Sequence, residues 1–294
     1  MATSNAPADT LKGVAYIVAS ALLLVPFATG SVKYLSGSFG VVEIVWVRAL
    51  GQTSWMLLLF LPRHGPGLLR SARPGTQLLR SAVLFVSTLA FVAGVRHVPL
   101  ATAHTIGFLS PLMVVALSLP MLGERVDPGR WLAVIAGFLG VLIVIRPGGE
   151  AIPLDALWIL VSAAGWSIVQ ILSRRLAADE APETTAIYTY GVALVATSLA
   201  MPFVAEIQAW PTLPQWLAIL AAGFFGGIRH YFAIKAFQLA PASVIAPFGY
   251  LELVGATVVG YLLFLDAPDL WTWIGAGVII ASGLYVARSE GRGR

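Results

Sequence analysis

Val95-Arg96-His97-Val98-Pro99-Leu100-Ala101-Thr102-Ala103 has a counterpart 139 residues later, Ile234-Lys235-Ala236-Phe237-Gln238-Leu239-Ala240-Pro241-Ala242. The basic residue, the Leu-Ala pair and the second Ala recur at that offset. Further on, Asp127 matches Asp266, and after one inserted residue Trp131 matches Trp271. These matches indicate that the chain is an internal duplication. We therefore expect two domains, a first copy over residues 1–148 and a second over residues 149–294.

Both copies are dominated by apolar residues. The 294 residues are 58% hydrophobic and 11% charged, and the mean hydropathy is +0.86. Soluble domains carry roughly 25% charged residues, so this composition indicates a membrane protein. The net charge of +4 comes from basic residues in short loops between apolar stretches, a pattern typical of membrane flanks and not of a nucleic-acid surface. The absence of cysteine excludes disulfides, thiolate metal sites and cysteine nucleophiles.

A helix that spans a membrane needs about 20 mainly apolar residues, and the chain offers ten such stretches. We predict an all-α integral membrane protein with ten transmembrane helices at residues 11–34, 39–62, 77–96, 99–122, 128–146, 154–176, 183–207, 212–238, 240–265 and 269–288. The first stretch is a full span long and is interpreted as a helix, not as a cleaved signal.

Basic residues predict how the chain lies in the membrane. With the N-terminus inside, thirteen of the eighteen Lys and Arg fall on the cytoplasmic side, three fall outside and two lie within spans. This bias predicts that both termini are cytoplasmic. Five spans per copy is an odd number, so the second copy must lie inverted relative to the first. Inverted repeats are typical of secondary transporters that hold their substrate near the bilayer midplane.

Several runs also resemble a known family, the EamA domain of the drug/metabolite transporter superfamily. In the first copy the resemblance rests on Ser110-Pro111-Leu112, on Leu122-Gly123-Glu124-Arg125 and on Gly137-Phe138-Leu139-Gly140-Val141. In the second copy it rests on Ala240-Pro241-Ala242 through Pro247 and on Trp273-Ile274-Gly275-Ala276 to Tyr285. The second copy departs from it at Leu263, where the first copy has Glu124.

The resemblance implies ten helices in two inverted halves, and the transport of amino acids or other metabolites, commonly outward. Related branches are described as importing S-adenosylmethionine or riboflavin. It also implies a bacterial inner membrane as the location. We therefore expect a secondary carrier of amino acids or their derivatives, acting as an exporter. The alternative is an uptake carrier for a cofactor-like metabolite such as S-adenosylmethionine or riboflavin.

Three charged residues lie near the middle of predicted spans, away from the span ends: Arg48, Arg229 and Glu252. Exposed to lipid they would together cost roughly 8 to 10 kcal/mol, so they should face a cavity or each other. None has a like residue at the matching position of the other copy. One hypothesis is that Glu252 neutralises one arginine and leaves the other to bind a substrate carboxylate. If Glu252 instead faces the substrate, it would suit an ammonium group. A buried structural pair without substrate contact is the alternative.

Two histidines, His104 and His230, are candidates for carrying a coupling proton because histidine titrates near neutrality. Packing between helices is the alternative for both. No group of His, Asp and Glu has the spacing of metal ligands, and we expect no metal site. Five aromatic residues fall away from predicted span ends and are candidate pocket walls: Trp46, Phe108, Trp166, Tyr188 and Tyr250.

Prolines interrupt three spans at Pro26, Pro111 and Pro247, where bent backbone often lines a translocation path. A kink needed only for packing is the alternative. Glu124 ends the fourth span and is a candidate gate residue that would pair with a basic loop residue, unless it is simply solvated.

No P-loop, GxSxG or HExxH motif and no pair of catalytic carboxylates is present in the spans, so we expect neither a cofactor nor an enzyme. The expected partners are a small-molecule substrate and the lipid bilayer, with no nucleic acid. Glycine-rich faces on the fifth and tenth spans would permit a homodimer.

Overall fold

The structure is a computed structural model that describes residues 6–122, 128–146, 154–176, 179–204, 210–239, 245 and 248–292. Within these ranges every regular element is helical and no strand occurs. Twelve α-helices are described here: α1 Ala6–Ala19, α2 Val25–Leu35, α3 Val41–His64, α4 Pro74–Val95, α5 Leu100–Gly107, α6 Ser110–Leu122, α7 Pro128–Ile145, α8 Leu154–Leu176, α9 Pro182–Val204, α10 Leu213–Leu239, α11 Leu251–Phe264 and α12 Leu270–Arg292.

Long apolar helices confirm the prediction of a multi-span membrane protein. In the described part of the chain, seven helical segments are long and apolar enough to cross a bilayer, beginning at Thr10, Val41, Pro74, Leu100, Pro128, Asp155 and Glu183. Two shorter apolar helices follow at Leu251–Phe264 and Leu270–Val286. Before these two, and after the segment that begins at Glu183, α10 runs for 27 residues. The count of ten spans stays a prediction.

The first span is continuous but locally unwound at its proline. A π-helical turn, Ser20–Leu24, joins α1 to α2, and Pro26 lies in the first turn of α2. Proline has no N–H to donate to the carbonyl four residues earlier and its ring crowds that carbonyl, so the helix widens here. The carbonyl oxygens of Ala21 and Leu22 consequently face Gly255 of α11, which has no side chain to obstruct them.

The fourth span is broken into two helices. α5 ends at Gly107, and α6 begins at Ser110 after a turn at Phe108 and Leu109. Pro111 occupies the first turn of α6, where its missing N–H would have had no partner within the helix. The proline therefore starts a second helix in the middle of the span.

Helix contacts in one half of the chain have counterparts between the equivalent helices of the other half. α4 packs along α8 and α9, and correspondingly α10 packs along the first span and α3. α6 contacts α8, and α11 contacts α2. The remaining extensive pairs, α3 with α9, α7 with α12 and α5 with α11, join equivalent helices of the two halves.

Glycines allow α3 and α10 to approach closely. A Cβ added to Gly223 would lie 2.9 Å from the Cα of Gly51, and one added to Gly226 would lie 2.4 Å from Nε2 of Gln52. Two backbones in contact bring residues one turn away into the same space. Arg48 on α3 and Arg229 on α10 are such residues, and this contact places them together.

The glycine faces of α7 and α12 pack inside the chain. A Cβ on Gly140 would lie 3.1 Å from the carbonyl oxygen of Gly275, and one on Gly275 would lie 2.6 Å from the carbonyl oxygen of Gly140. Gly137 faces Leu112, and Gly283 faces the hydroxyl of Tyr250. These faces are thus used within the protein and add no support for a homodimer, which stays a prediction.

Candidate functional site

A cavity of about 310 Å³ lies between helices of both halves, and we call it the central cavity. Its volume is at the lower end of the range of small-molecule sites. Seven residues predicted from the sequence as site, coupling or kink residues line it: Arg48, His104, Phe108, Pro111, Trp166, Arg229 and Glu252. Residues that sequence reasoning did not single out complete the wall, notably Thr29, Thr88, Phe91, Ser110 and Gln170.

Part of the wall of the central cavity carries a close histidine–carboxylate contact between two helices. Nδ1 of His104 on α5 lies 2.6 Å from Oε1 of Glu252 on α11. His104 is buried, with 6% of its side chain exposed, whereas 26% of Glu252 is exposed. The other ring nitrogen, Nε2 of His104, lies 3.2 Å from the hydroxyl oxygen of Thr29 on α2. Thr29, His104 and Glu252 thus form a chain of polar contacts across three helices.

Local helix structure favours the charge on Glu252. The residue lies in the first turn of α11, directly after the turn at Tyr250. Backbone N–H groups at a helix N-terminus carry a partial positive charge that stabilises a carboxylate. His104 reaches this carboxylate because α5 and α11 pack against each other.

Another part of the wall of the central cavity carries two arginines. Arg48 and Arg229 both line it, and each lies close enough to repel the other electrostatically. Within the described residues neither has a carboxylate at ion-pair distance, and Nε of Arg229 is buried without a hydrogen-bond partner. The expectation that Glu252 neutralises one arginine is therefore wrong in this structure, because its carboxylate is paired with His104 instead.

Aromatic and neutral polar groups form the rest of the wall. Phe108 lines the cavity and packs edge-on against Tyr250, with ring centroids 5.1 Å apart. Tyr250, which was predicted as a pocket wall, is not itself among the described lining residues. Nε2 of Gln170 donates to the hydroxyl of Ser110 at 2.8 Å, which links α8 to the broken fourth span. Trp166 projects from the middle of α8 and lines the cavity next to both arginines. Such a wall combines apolar contact surface with a few fixed hydrogen-bonding groups, as metabolite sites do.

Two predicted pocket aromatics lie away from the residues that line the central cavity. The indole N–H of Trp46 donates to Oγ of Ser198 at 2.9 Å and joins α3 to α9. The hydroxyl of Tyr188 donates to the carbonyl oxygen of Leu69 at 3.2 Å, near the ends of α9 and α3. Both side chains are used as ties between helices in this structure.

Of the predicted kink and gate residues, Pro26 and Pro111 lie at the two breaks described above. Pro26 is buried against Gly255 and does not line the central cavity, whereas Pro111 does. Pro247, Glu124 and the side chain of His230 lie outside the described residues.

An ion pair and several hydrogen bonds join the two halves at one end of the bundle, which we call the Arg73 end. Nε of Arg73 lies 2.7 Å from Oδ2 of Asp179, and Gln77 donates to Oγ1 of Thr185 at 2.8 Å. The N–H of Arg73 also donates to Glu180 at 2.9 Å. Burial alone would raise the pKa of Glu180, but hydrogen bonds from Ser71 and from the backbone together hold that pKa below its ordinary value. Its charged form therefore contributes to closing this end.

Ion pairs also join the halves at the opposite end, which we call the Lys33 end. Lys33 pairs with Asp266, and Arg146 pairs with Asp269. His97 lies 3.2 Å from Asp155. A second cavity of about 550 Å³ lies here, lined by His97, Arg146 and Asp269 among others. Both ends thus hold contacts between halves that would have to separate for a solute to pass.

The arrangement suits binding of a charged solute. Guanidinium groups hold carboxylates and phosphates through paired N–H donors, and they do so strongly where water is scarce. The central cavity contains a single carboxylate among its described lining residues, and that carboxylate is engaged by His104.

Proteins similar to this chain are named as transporters. The S-adenosylmethionine uptake transporter of Rickettsia bellii is 29% identical over 258 residues, 88% of this chain and 87% of that protein. The riboflavin transporter of Rhizobium johnstonii is 32% identical over 235 residues, 80% of this chain and 77% of that protein. The pseudopaline exporter of Pseudomonas aeruginosa is 26% identical over 285 residues, 96% of this chain and 98% of that protein.

A solved crystal structure of a protein 20% identical to this one has the same fold, with a TM-score of 0.63 over 98% of this chain and 99% of its own. The EamA-like transporter family matches residues 11–146 and 154–288, which together are nearly the whole chain. The resemblance inferred from the sequence is thereby confirmed: the chain belongs to the EamA-like transporter family.

Proposed function

We propose that the protein is a secondary carrier for a small metabolite that bears a carboxylate, most simply an amino acid or a close derivative. The observation that carries this proposal is the pair of arginines, Arg48 and Arg229, which line one cavity without an acidic partner among the described residues. A substrate carboxylate between them would be held by both guanidiniums and would relieve their repulsion.

Inverted repeats give the means of transport in this proposal. The contacts that recur when the halves are exchanged support two inverted five-helix repeats and hence ten spans. Opening the ties of the Arg73 end would connect the central cavity to one side, and opening those of the Lys33 end would connect it to the other. We propose, from the bias of basic residues, that the Arg73 end and both termini lie in the cytoplasm of a bacterial cell. We propose export as the direction.

Proton coupling is proposed to act through His104. Its ring bridges Glu252 and Thr29, so a proton gained or lost on the imidazole changes the charge balance of the cavity. The carboxylate of Glu252 accepts the hydrogen bond from Nδ1 of His104. Once His104 is neutral, the same carboxylate would also attract a substrate ammonium group.

Uptake of a cofactor-like metabolite is the second candidate. It is favoured by the names of relatives, which are transporters of S-adenosylmethionine and riboflavin. Phe91, Phe108 and Trp166 offer flat surfaces on which a ring system would stack. The size of the central cavity and its two arginines favour the smaller, carboxylate-bearing substrate.

Counterflow in proteoliposomes tests the proposal. Labelled amino acids, S-adenosylmethionine and riboflavin are each offered to vesicles preloaded with the same unlabelled solute, with the native protein and with the Arg229→Ala variant. We expect amino acid exchange that is lost in the variant. Arg63→Gln, at an exposed position near the end of α3, is the matched control and should behave as the native protein does.

Exchange of a cofactor-sized solute without amino acid exchange would establish the second candidate. Amino acid exchange that survives Arg229→Ala would show that the arginine is structural.

A further inference from the structure

A small pocket of about 40 Å³ adjoins the central cavity, and we call it the annex. The two spaces share lining residues, among them Arg48, Trp166 and Arg229. The annex extends toward α9, where Thr189 and Tyr190 complete its wall. Its volume accommodates one or two small groups, since a single water needs about 10 to 15 Å³ of such space.

A third arginine lies directly behind the annex. Arg80 lies on α4, near the start of the predicted span 77–96, and its side chain lies between α4, α8 and α9. Its Nε donates to Oγ of Ser173 at 2.6 Å, and its Nη1 donates to Oγ1 of Thr189 at 2.6 Å. Thr189 is buried, with 7% exposed, and separates the guanidinium of Arg80 from the annex.

The three arginines converge on one side chain. The phenol of Tyr190 is within electrostatic range of the guanidiniums of Arg48, Arg80 and Arg229. Tyr190 is 5% exposed and lines the annex. The described lining of the annex contains no carboxylate, and Arg80 has none at ion-pair distance among the described residues. Three positive charges in a space shielded from water therefore favour an anion strongly.

We propose that the annex is a second anion subsite, and that it takes a second carboxylate or a phosphate while the first anionic group of the substrate lies between Arg48 and Arg229 in the central cavity. The inference rests on the proposed function and narrows the substrate class to metabolites with two anionic groups. Thr189 positions the guanidinium of Arg80, and Trp166 lies where the two spaces meet. The same chemistry would also hold a free inorganic anion.

Matched amino acids separate substrates with one and two anionic groups. Glutamate and glutamine have nearly the same size, but only glutamate carries a second carboxylate. We expect the native protein to exchange glutamate in preference to glutamine in counterflow. The Arg80→Gln variant retains donors for Ser173 and Thr189 but lacks the charge, and we expect its preference to fall about tenfold, because a nearby positive charge that attracts the second anionic group is lost. Exchange of glutamine should change little.

A binding measurement keeps the test independent of which solute is carried. The melting temperature of the purified full-length protein in detergent is measured in sodium phosphate and in sodium chloride at equal ionic strength. A ligand that binds the folded state alone raises the melting temperature. We expect phosphate to raise it for the native protein and for Arg63→Gln, and to have little effect on Arg80→Gln. Thr189→Val, which keeps the charge and removes one partner of Arg80, should show an intermediate effect and serves if Arg80→Gln does not fold.

The outcomes distinguish the inference from the proposed function. Loss of the glutamate preference in Arg80→Gln supports a subsite for a group of the substrate. Loss of the phosphate effect without any glutamate preference supports a subsite for a free inorganic anion. The inference is overturned if the Arg80 and Thr189 variants match the native protein in both the glutamate preference and the effect of phosphate on the melting temperature. Exchange that depends on Arg229 would still leave the proposed function intact.

Discussion

The two sides of the central cavity differ in how their charges are balanced. On one side, the carboxylate of Glu252 is paired with His104 at 2.6 Å, and Thr29 contacts the same ring. On the other side, Arg48 and Arg229 face each other without a carboxylate partner among the described residues. The carboxylate of Glu252 has a partner within the protein, whereas two like charges in a membrane interior are a cost to folding. We therefore expect the two arginines to serve the function of the protein and not its stability.

The largest effect should come from removing a charge on the basic side. Arg229→Ala deletes a guanidinium whose Nε has no partner within the described structure, so little stability is lost while one substrate contact disappears. We expect exchange to fall about 100-fold, as for loss of a hydrogen-bonded charge pair in a dry site. Counterflow rates at a fixed amount of folded protein measure the change. Arg229→Lys should recover only part of it, because an ammonium cannot form the planar bidentate contact.

A smaller effect should follow on the acidic side. Glu252→Gln keeps the shape of the side chain but removes the charge that His104 faces. We expect the rate of exchange to fall about tenfold and its dependence on pH, measured between about pH 5.5 and 8, to flatten. A variant with unchanged pH dependence would indicate that the pair only holds α5 against α11.

The close approach of α3 and α10 offers a way to separate the two arginines without altering them. A Cβ at Gly223 would lie 2.9 Å from the Cα of Gly51. We expect Gly223→Ala to cost about 1 to 3 kcal/mol of stability and to weaken substrate affinity severalfold. Thermal unfolding and the concentration dependence of exchange measure the two effects. Gly191→Ala is the matched control, since a Cβ there meets no atom within 4 Å. It should leave substrate affinity unchanged and should not lower stability, because alanine favours the helix more than glycine does.

The smallest effect should come from Thr29. Thr29→Val removes the hydroxyl 3.2 Å from Nε2 of His104 and leaves the volume nearly unchanged. The ring keeps its contact with Glu252, so we expect exchange to fall only about two- to threefold. A pH profile that shifts while the maximal rate stays near the native value would show that Thr29 acts through His104. No shift together with a lower rate would argue for a role in packing α2 alone.

The sequence was informative about the cavity residues because charge is costly in lipid. Arg48, Arg229 and Glu252 stood out from long apolar stretches, and all three line one cavity. The pairing among them was not predictable, because it depends on how far α5 lies from α11 and α3 from α10. Thr29 and Gln170 gave no signal, because an uncharged polar residue in a span stands out less than a charged one. Arg80 did not stand out because it lies close to a predicted span end, where a charged residue costs little.

By itself the sequence determined the all-helical membrane fold and the family, because hydropathy and the spacing of repeats are properties of the chain alone. Tertiary structure decided which charges are balanced. His104 meets Glu252 because α11 packs against α5, and the two arginines meet because glycines bring α3 and α10 into backbone contact. Electrostatic energy depends on distances of a few ångströms between helices remote in sequence, and only the packed bundle sets those distances.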